Sequence, residues 1–222
     1  LRALGNFRQN LPVQLTSFIG RDGERETVRG LIEGNRVVTL VGSGGCGKTR
    51  LAIQVGADLL EEFLDGVWFV DLAPLNDGSL VTGAIASAVG AKSEQGISTI
   101  EALVRSLDGT KTLIILDNCE QVTRACAEVV GKLLPTAQNV RVLATSREPL
   151  GLAGEMQWRV PSLSLPDNVM SIEAVARCEA IRLFVDRATA VRPSFAITAT
   201  NVEPITNICR SLEGMPLAIE LA

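Results

Sequence analysis

One stretch, Gly42-Ser-Gly-Gly-Cys-Gly47-Lys48-Thr49, constrains this chain more than any other feature. It fits the pattern G-x-x-x-x-G-K-[ST] without exception. A short β-branched run, Val37–Val41, precedes it, and Leu51, Ala52, Val55, Leu59 and Leu60 recur at helical spacing after it. A strand, a glycine-rich turn and a helix in that order make an anion cradle. Glycines let successive backbone N–H groups point inward as a nest, and the helix N-terminus adds its positive dipole end. Lys48 would neutralise the β- and γ-phosphates of a nucleotide, and the Thr49 hydroxyl would hold Mg²⁺. The bland alternative is a glycine-rich turn with a stray lysine, and the flanking strand and helix argue against it. Cys46 contributes only its backbone N–H. The expected binding set is therefore Gly42, Ser43, Gly44, Gly45, Cys46, Gly47, Lys48, Thr49 and the adjoining Arg50.

Composition excludes several other classes. With 222 residues, 46% hydrophobic and 21% charged, the chain can bury one large core and part of a second at about 150 residues per domain. Five scattered cysteines without a Cys-x-x-Cys pair, and no histidine at all, exclude zinc fingers, a histidine-dependent triad and a disulfide framework. No apolar run approaches the roughly 18 residues of a membrane span. Arg2 and Arg8 flank no signal-like apolar stretch. The expected location is cytoplasmic, with no membrane partner. A net charge of −4 and the absence of tyrosine leave no basic, aromatic-studded surface for nucleic acid.

Along the chain, residues 1–17 show no period and read as a linker. A short helix is expected from Asp22, with Val28, Leu31 and Ile32 on one face. Strands are expected at Val37–Val41, Val67–Val70, Thr112–Leu116, Val140–Ala144 and Met156–Val160. Helices are expected at Leu80–Val89, at Ser98–Leu107 behind a Ser98-x-x-Glu101 capping box, and at Ala125–Leu134. Strands this uniformly apolar are buried on both faces, the mark of a parallel sheet between helices. After Pro161 and the loop 161–168 the pattern turns purely helical: Glu179–Ala190, a second helix behind a Thr200-x-x-Glu203 capping box, and Leu217–Ala222. The expected architecture is a nucleotide-binding α/β domain over 18–160, followed by a small all-helical domain over 161–222. Both ends of the chain read as cuts in a longer protein.

Two strand ends add chemistry. Thr112-Leu-Ile-Ile-Leu-Asp117 ends in a carboxylate, and an acid at the carboxyl end of a parallel strand lies over the crevice of the phosphate loop. There Asp117 can hold Mg²⁺, directly or through water. Many strands end in Asp merely as a turn former, so its place in the βα series carries the inference. Val142-Leu-Ala-Thr-Ser-Arg147 places an arginine at another strand end. Arg147 reads equally as a γ-phosphate contact or as an ordinary surface loop residue.

These blocks resemble the STAND class of signalling P-loop ATPases, and within it the NB-ARC type of apoptotic protease-activating factors and plant resistance proteins. The resemblance covers about residues 18–222. It rests on the phosphate loop, Phe18-Ile-Gly-Arg21, Leu113–Asp117, Ala144-Thr-Ser-Arg147 and Gly214-Met-Pro216-Leu-Ala218. It implies a P-loop NTPase three-layer sandwich with the sensor strand between the two Walker strands. It also implies adenine contacts from Ile19, Gly20, Arg21 and Pro216, and a γ-phosphate sensor role for Arg147. Asn10-Leu-Pro12, Leu15–Arg21 and Leu116-Asp-Asn-Cys-Glu-Gln121 are similar to actinobacterial transcriptional regulators. Those large chains carry a LuxR-type helix-turn-helix at the far C-terminus, and some an adenylate-cyclase-like domain before the ATPase. DNA contact would then lie outside this chain, with homo-oligomerisation on activation. A winged-helix domain would follow the helical one and close over the nucleotide.

One departure bears on activity. Many members of that family carry a second acid after the Walker B aspartate, and here the residue is Asn118. An amide can orient water but cannot accept its proton. Glu120 is the nearest substitute base, or else an exposed acid at a helix start. The catalytic candidates are thus Lys48, Asp117, Asn118, Glu120 and Arg147, with Thr49 and Asp117 as the metal pair. The missing acid favours a slow ATPase that binds ATP or ADP with Mg²⁺ and changes domain packing with the occupant. The alternative is an actively cycling AAA+-like ATPase that does mechanical or assembly work. A Walker-A small-molecule kinase is disfavoured, because nothing resembles an arginine-bearing lid.

Overall fold

The computed structural model describes residues 7–92, 95–167 and 171–222. The first six residues of the expected linker, and Asn168 of the expected loop, lie outside them. The described residues divide into two compact units, one from the stretches 7–13, 25–42 and 48–159, the other from 14–24, 43–47 and 160–222.

The first unit is a five-stranded parallel sheet with helices on both faces. Its strands are β1 (Val37–Val41), β2 (Gly66–Asp71), β3 (Thr112–Asp117), β4 (Arg141–Ser146) and β5 (Glu155–Arg159), in the order β2-β3-β4-β1-β5. β4, the strand that Arg147 follows, lies between β1 and β3 as expected. β3 is buried at every position, since it is apolar and central. β5 (EMQWR) sits at an edge and is half-exposed, and its composition matches that place.

Alternation along β3 sends Ile114 and Leu116 to one face and Ile115 to the other. Ile114 and Leu116 join a core with α3 (Val81–Val89), α4 (Thr99–Leu107) and α5 (Thr123–Leu133). Ile115 meets α2 (Lys48–Asp58), where a Cβ on Gly56 would lie 2.6 Å from the Ile115 side chain. The helix approaches the sheet that closely because Gly56 has no side chain. The Ser98–Glu101 capping box forms as expected, Glu101 accepting from Ser98 N at 2.9 Å. Residues 8–10 run along β2: Gln9 bridges Val67, and the Asn10 side chain bonds both backbone groups of Phe69.

The second unit centres on α7 (Glu179–Val191), α8 (Val202–Ser211) and α9 (Pro216–Leu221), with a one-turn α6 (Ile172–Val175). Its core joins Leu163, Val175, Ala180, Ile181, Leu183, Ile205, Cys209 and Ile219. The expected Thr200-x-x-Glu203 capping box does not form. α8 starts at Val202 with Asn201 as its N-cap, and the first helical bond runs from Ile205 N to Asn201 O at 3.1 Å. A helix capped by Thr200 would need that bond from residue 204, which is proline and has no N–H. Among the described residues no helix is long and apolar enough to cross a membrane.

Candidate functional site

The sheet unit places the acid-ended strand, the loop lysine and the loop threonine together. Asp117, 2% exposed, accepts at Oδ1 from Thr49 Oγ1 at 2.8 Å and from Thr145 Oγ1 at 2.5 Å. Its Oδ2 accepts from Asn118 Nδ2 at 2.9 Å. Thr145 in turn accepts from Asn118 N at 3.0 Å, so hydroxyl, carboxylate and amide form a closed set. Asn118 stands in the left-handed region at φ 60, which asparagine tolerates better than most residues. Burial pushes the Asp117 carboxyl above its ordinary value; bonds from Thr145 and Thr49 oppose the rise, and nearby Asp71 and Glu120 add to it.

Lys48 is buried, and its Nζ donates to Gly42 O at 2.9 Å across the ends of the phosphate loop. Thr49 and Asp117 present hard oxygen donors beside one another, a pair that suits Mg²⁺ better than a softer metal. Arg50 lies half-buried in the first turn of α2. The remaining two candidates pair off: Arg147 Nε lies 3.4 Å from Glu120 Oε1. Arg147 is 69% exposed, while Glu120 is largely covered, and its Oε2 finds no hydrogen-bond partner among the described residues.

The helical unit includes the middle of the phosphate loop. Gly45 and Gly47 adopt φ 81 and φ 91, and Cys46 between them does not have a positive φ. Alternating signs over three residues are the backbone pattern of an anion nest. Ser43 and Gly44 are exposed, and Cys46 is buried. Gly20 (φ 70) and Arg21 (φ 62) form a left-handed turn before α1 (Asp22–Gly34), and Arg21 N donates to Glu179 Oε1. The Arg21 side chain is 3% exposed and donates from Nη2 to Cys46 O at 2.7 Å and to Pro161 O at 3.0 Å. Burial lowers its pKa. Ile19 packs on the helical core, and Pro216 opens α9 with a ring carbon about 3.8 Å from where a Gly47 Cβ would be.

Sequence reasoning assigned no role to Thr145, Glu179 or Leu217. For Thr145 a signal existed. Leu116 pairs with Ala144, so the next residues in register, Asp117 and Thr145, fall side by side once β3 and β4 are taken as neighbours. The other two depend on contacts between distant segments.

A family model described as NB-ARC domain matches residues 25–174. An uncharacterized protein of Mycobacterium tuberculosis is 44% identical over 94% of this chain and 50% of its own length. A second protein of that organism, whose name proposes an HTH-type transcriptional regulator, is 46% identical over 88% of this chain and 21% of its own length. Regulatory protein AfsR of Streptomyces griseus is 28% identical over 96% of this chain and 21% of its own length. This chain thus spans half or less of these relatives. Among solved structures, the Walker-type ATPase of Pyrococcus abyssi superposes with a TM-score of 0.61 at 13% identity, covering 95% of this chain and 69% of that one. That likeness supports the α/β P-loop fold.

Proposed function

This chain belongs to the NB-ARC family, and on that premise we propose that it is the ATP- and ADP-binding switch of a larger transcriptional regulator, with slow hydrolysis. The nucleotide phosphates sit on Gly42–Thr49. Ile19, Arg21 and Pro216 bracket the adenine, and Thr49 with Asp117 hold Mg²⁺. The metal, when bound, draws charge from the β- and γ-phosphates. Lys48 leaves the Gly42 carbonyl for the phosphates. The nucleotide-binding domain spans 18–160 and the helical domain 161–222, and the nucleotide decides how they pack. DNA binding belongs to a LuxR-type helix-turn-helix elsewhere in the protein, with an adenylate-cyclase-like domain upstream in some relatives, a cytoplasmic location and homo-oligomerisation on activation.

The observation that carries the reading is the state of Asn118. The position that would hold a second acid is an amide whose Nδ2 is committed to the Asp117 carboxylate. The nearest substitute, Glu120, is paired with Arg147. Water is then oriented but not deprotonated, and turnover falls below the roughly 1 s⁻¹ floor of ordinary enzymes. Two measurements test this: mass spectrometry of nucleotide released from the purified protein, and a single-turnover ATPase rate. Retained ADP with slow turnover is expected. Turnover of tens per second would overturn the switch reading, and failure to bind any nucleotide would overturn the whole assignment.

A further inference from the structure

Two successive carbonyls of the phosphate loop are held by groups far away in sequence. Gly45 O accepts from Leu217 N at 3.2 Å, and Cys46 O accepts from Arg21 Nη2 at 2.7 Å. In a trans peptide unit the C=O of one residue and the N–H of the next lie in one plane and point in opposite directions. A partner that fixes the Gly45 carbonyl therefore also fixes the direction of the Cys46 N–H. The Arg21 bond fixes the Gly47 N–H in the same way. These two amides belong to the stretch where φ alternates in sign, the part of the loop with nest geometry.

We propose that Arg21 and the Leu217 amide are positioning groups that preorganise the phosphate nest, so that anion binding at the loop and docking of α9 support each other. This rests on the nucleotide-binding reading above. Three details support it. Arg21 is almost fully buried, sits at positive φ, and commits Nη2 to two backbone carbonyls, while its Nη1 has no hydrogen-bond partner among the described residues. A buried guanidinium bonded to neutral carbonyls is held at a desolvation cost that packing alone would not offset. At Leu217 the fit is equally close, since a Cβ on Gly45 would lie 2.9 Å from the Leu217 Cβ. Glycine at 45 lets the chain of α9 reach the loop carbonyl. The bond also occupies an N–H that a helix leaves open in its first turn, and Met215 supplies no side-chain cap there.

Coupling of this kind is reciprocal. If the two ties orient the amides toward phosphate, bound phosphate must strengthen the ties. α9 then reports through the backbone whether the loop is filled, a link separate from the place of Pro216 beside the adenine.

The test compares four variants of the chain, stripped of nucleotide, by calorimetry with ADP, inorganic pyrophosphate and adenosine. R21Q removes the guanidinium. L217P removes the amide hydrogen at a first-turn position that tolerates proline, and L217A keeps that hydrogen while trimming the side chain. R21K keeps charge but loses the planar two-carbonyl fork. R21Q and L217P should each weaken pyrophosphate, which carries no adenine, about tenfold, and L217P should change adenosine less than twofold. R21K should fall between R21Q and the unmodified chain, and L217P should lose about fivefold more than L217A. Hydrogen exchange at the Leu217 amide should slow when pyrophosphate binds. Equal losses for adenosine and pyrophosphate in L217P, or an R21Q chain that binds pyrophosphate as tightly as the unmodified one, would overturn the proposal. So would equal losses in L217A and L217P, or exchange at Leu217 that pyrophosphate leaves unchanged. The exchange measurement needs no variant, so it decides even if a substituted chain fails to fold. An unmodified chain that binds neither ADP nor pyrophosphate would instead defeat the nucleotide reading itself.

Discussion

The acid Asp117 and the middle of the glycine-rich loop are each held in place by different means. Asp117 is fixed by side chains: Thr49 and Thr145 hydroxyls on one oxygen and the Asn118 amide on the other. The loop's middle is fixed through its backbone, by the Leu217 amide and the Arg21 guanidinium on two carbonyls, and by glycines at positive φ. The difference predicts how each breaks. The acid should respond to changes of side-chain chemistry, and the loop to changes in what the backbone can do.

The largest effect is expected at Gly214, in the helical unit that carries the loop. It stands at φ 64, and a Cβ there would lie 2.4 Å from Leu163 O, the residue whose N–H bonds Gly214 O. Left-handed strain and a backbone clash together put Gly214→Ala at about 2–4 kcal/mol of lost stability. A denaturant melt reads this directly. A loss under about 0.5 kcal/mol, the range of ordinary surface changes, would mean that the helical unit tolerates movement the contacts do not suggest, and would blur the contrast.

Lys48→Ala comes next. It removes a buried ammonium that, with ligand, would make a charge-assisted bond, at about 1.5–3 kcal/mol. ATP and ADP affinities should fall by a factor of about ten to a hundred in calorimetry. Unchanged affinity would remove the phosphates from this loop.

Much of this was readable from the residue pattern, and what was not has a physical reason. Local pattern fixes a strand's apolarity, a loop's glycines and the Ser98 capping box, and these formed where expected. The order β3-β4-β1 came from family resemblance, not from periodicity. The Thr200 capping box failed because a two-residue match ignores the proline at 204. Arg21 shows the deeper limit. Its place beside a Gly in a recognised block marks it as important, yet its bonds to Cys46 and Pro161 join segments that no local window spans.

The acid side is sharpened by Asp117→Asn. Burial raises the Asp117 pKa above the ordinary aspartate value of about 4. The sign follows: in the window between the ordinary and the raised value the folded chain holds the proton more tightly than the unfolded one, so stability falls as pH rises through it. Above that window the ionised carboxylate is a constant burden on the nucleotide-free fold. Asn keeps an acceptor for Thr49 and Thr145 and removes the charge, and its Nδ2 takes the place of the oxygen that accepts from Asn118, whose amide must turn over to offer its own oxygen. D117N should therefore melt no lower than the unmodified chain at pH 7, and the drop in stability across that acid window should flatten. It should also lose the Mg²⁺-dependent part of ATP affinity. A D117N chain that melts several degrees lower would show that the ionised carboxylate, with its bond from Asn118, is stabilising, against the direction given by burial.

The smallest effects are expected at Arg147 and Glu120, and their value lies in their opposite signs. The pair is 3.4 Å apart with Arg147 mostly in water, so screening leaves it little influence on the fold. Neither R147A nor E120Q should move the melting temperature by more than about 2 °C. Ligand preference is where they separate. In the nucleotide reading Arg147 has two claimants, the Glu120 carboxylate and a γ-phosphate, and it can satisfy one at a time. R147A should weaken ATP several-fold and leave ADP almost unmoved, because only ATP carries γ-oxygens. E120Q removes the competing carboxylate charge and should tighten ATP about two- to threefold relative to ADP. Competition binding of the two nucleotides reads both ratios in one experiment. Equal losses of ATP and ADP in R147A would return that arginine to the ordinary surface. An E120Q chain with weakened ATP would show that Glu120 helps to place Arg147 instead of withholding it.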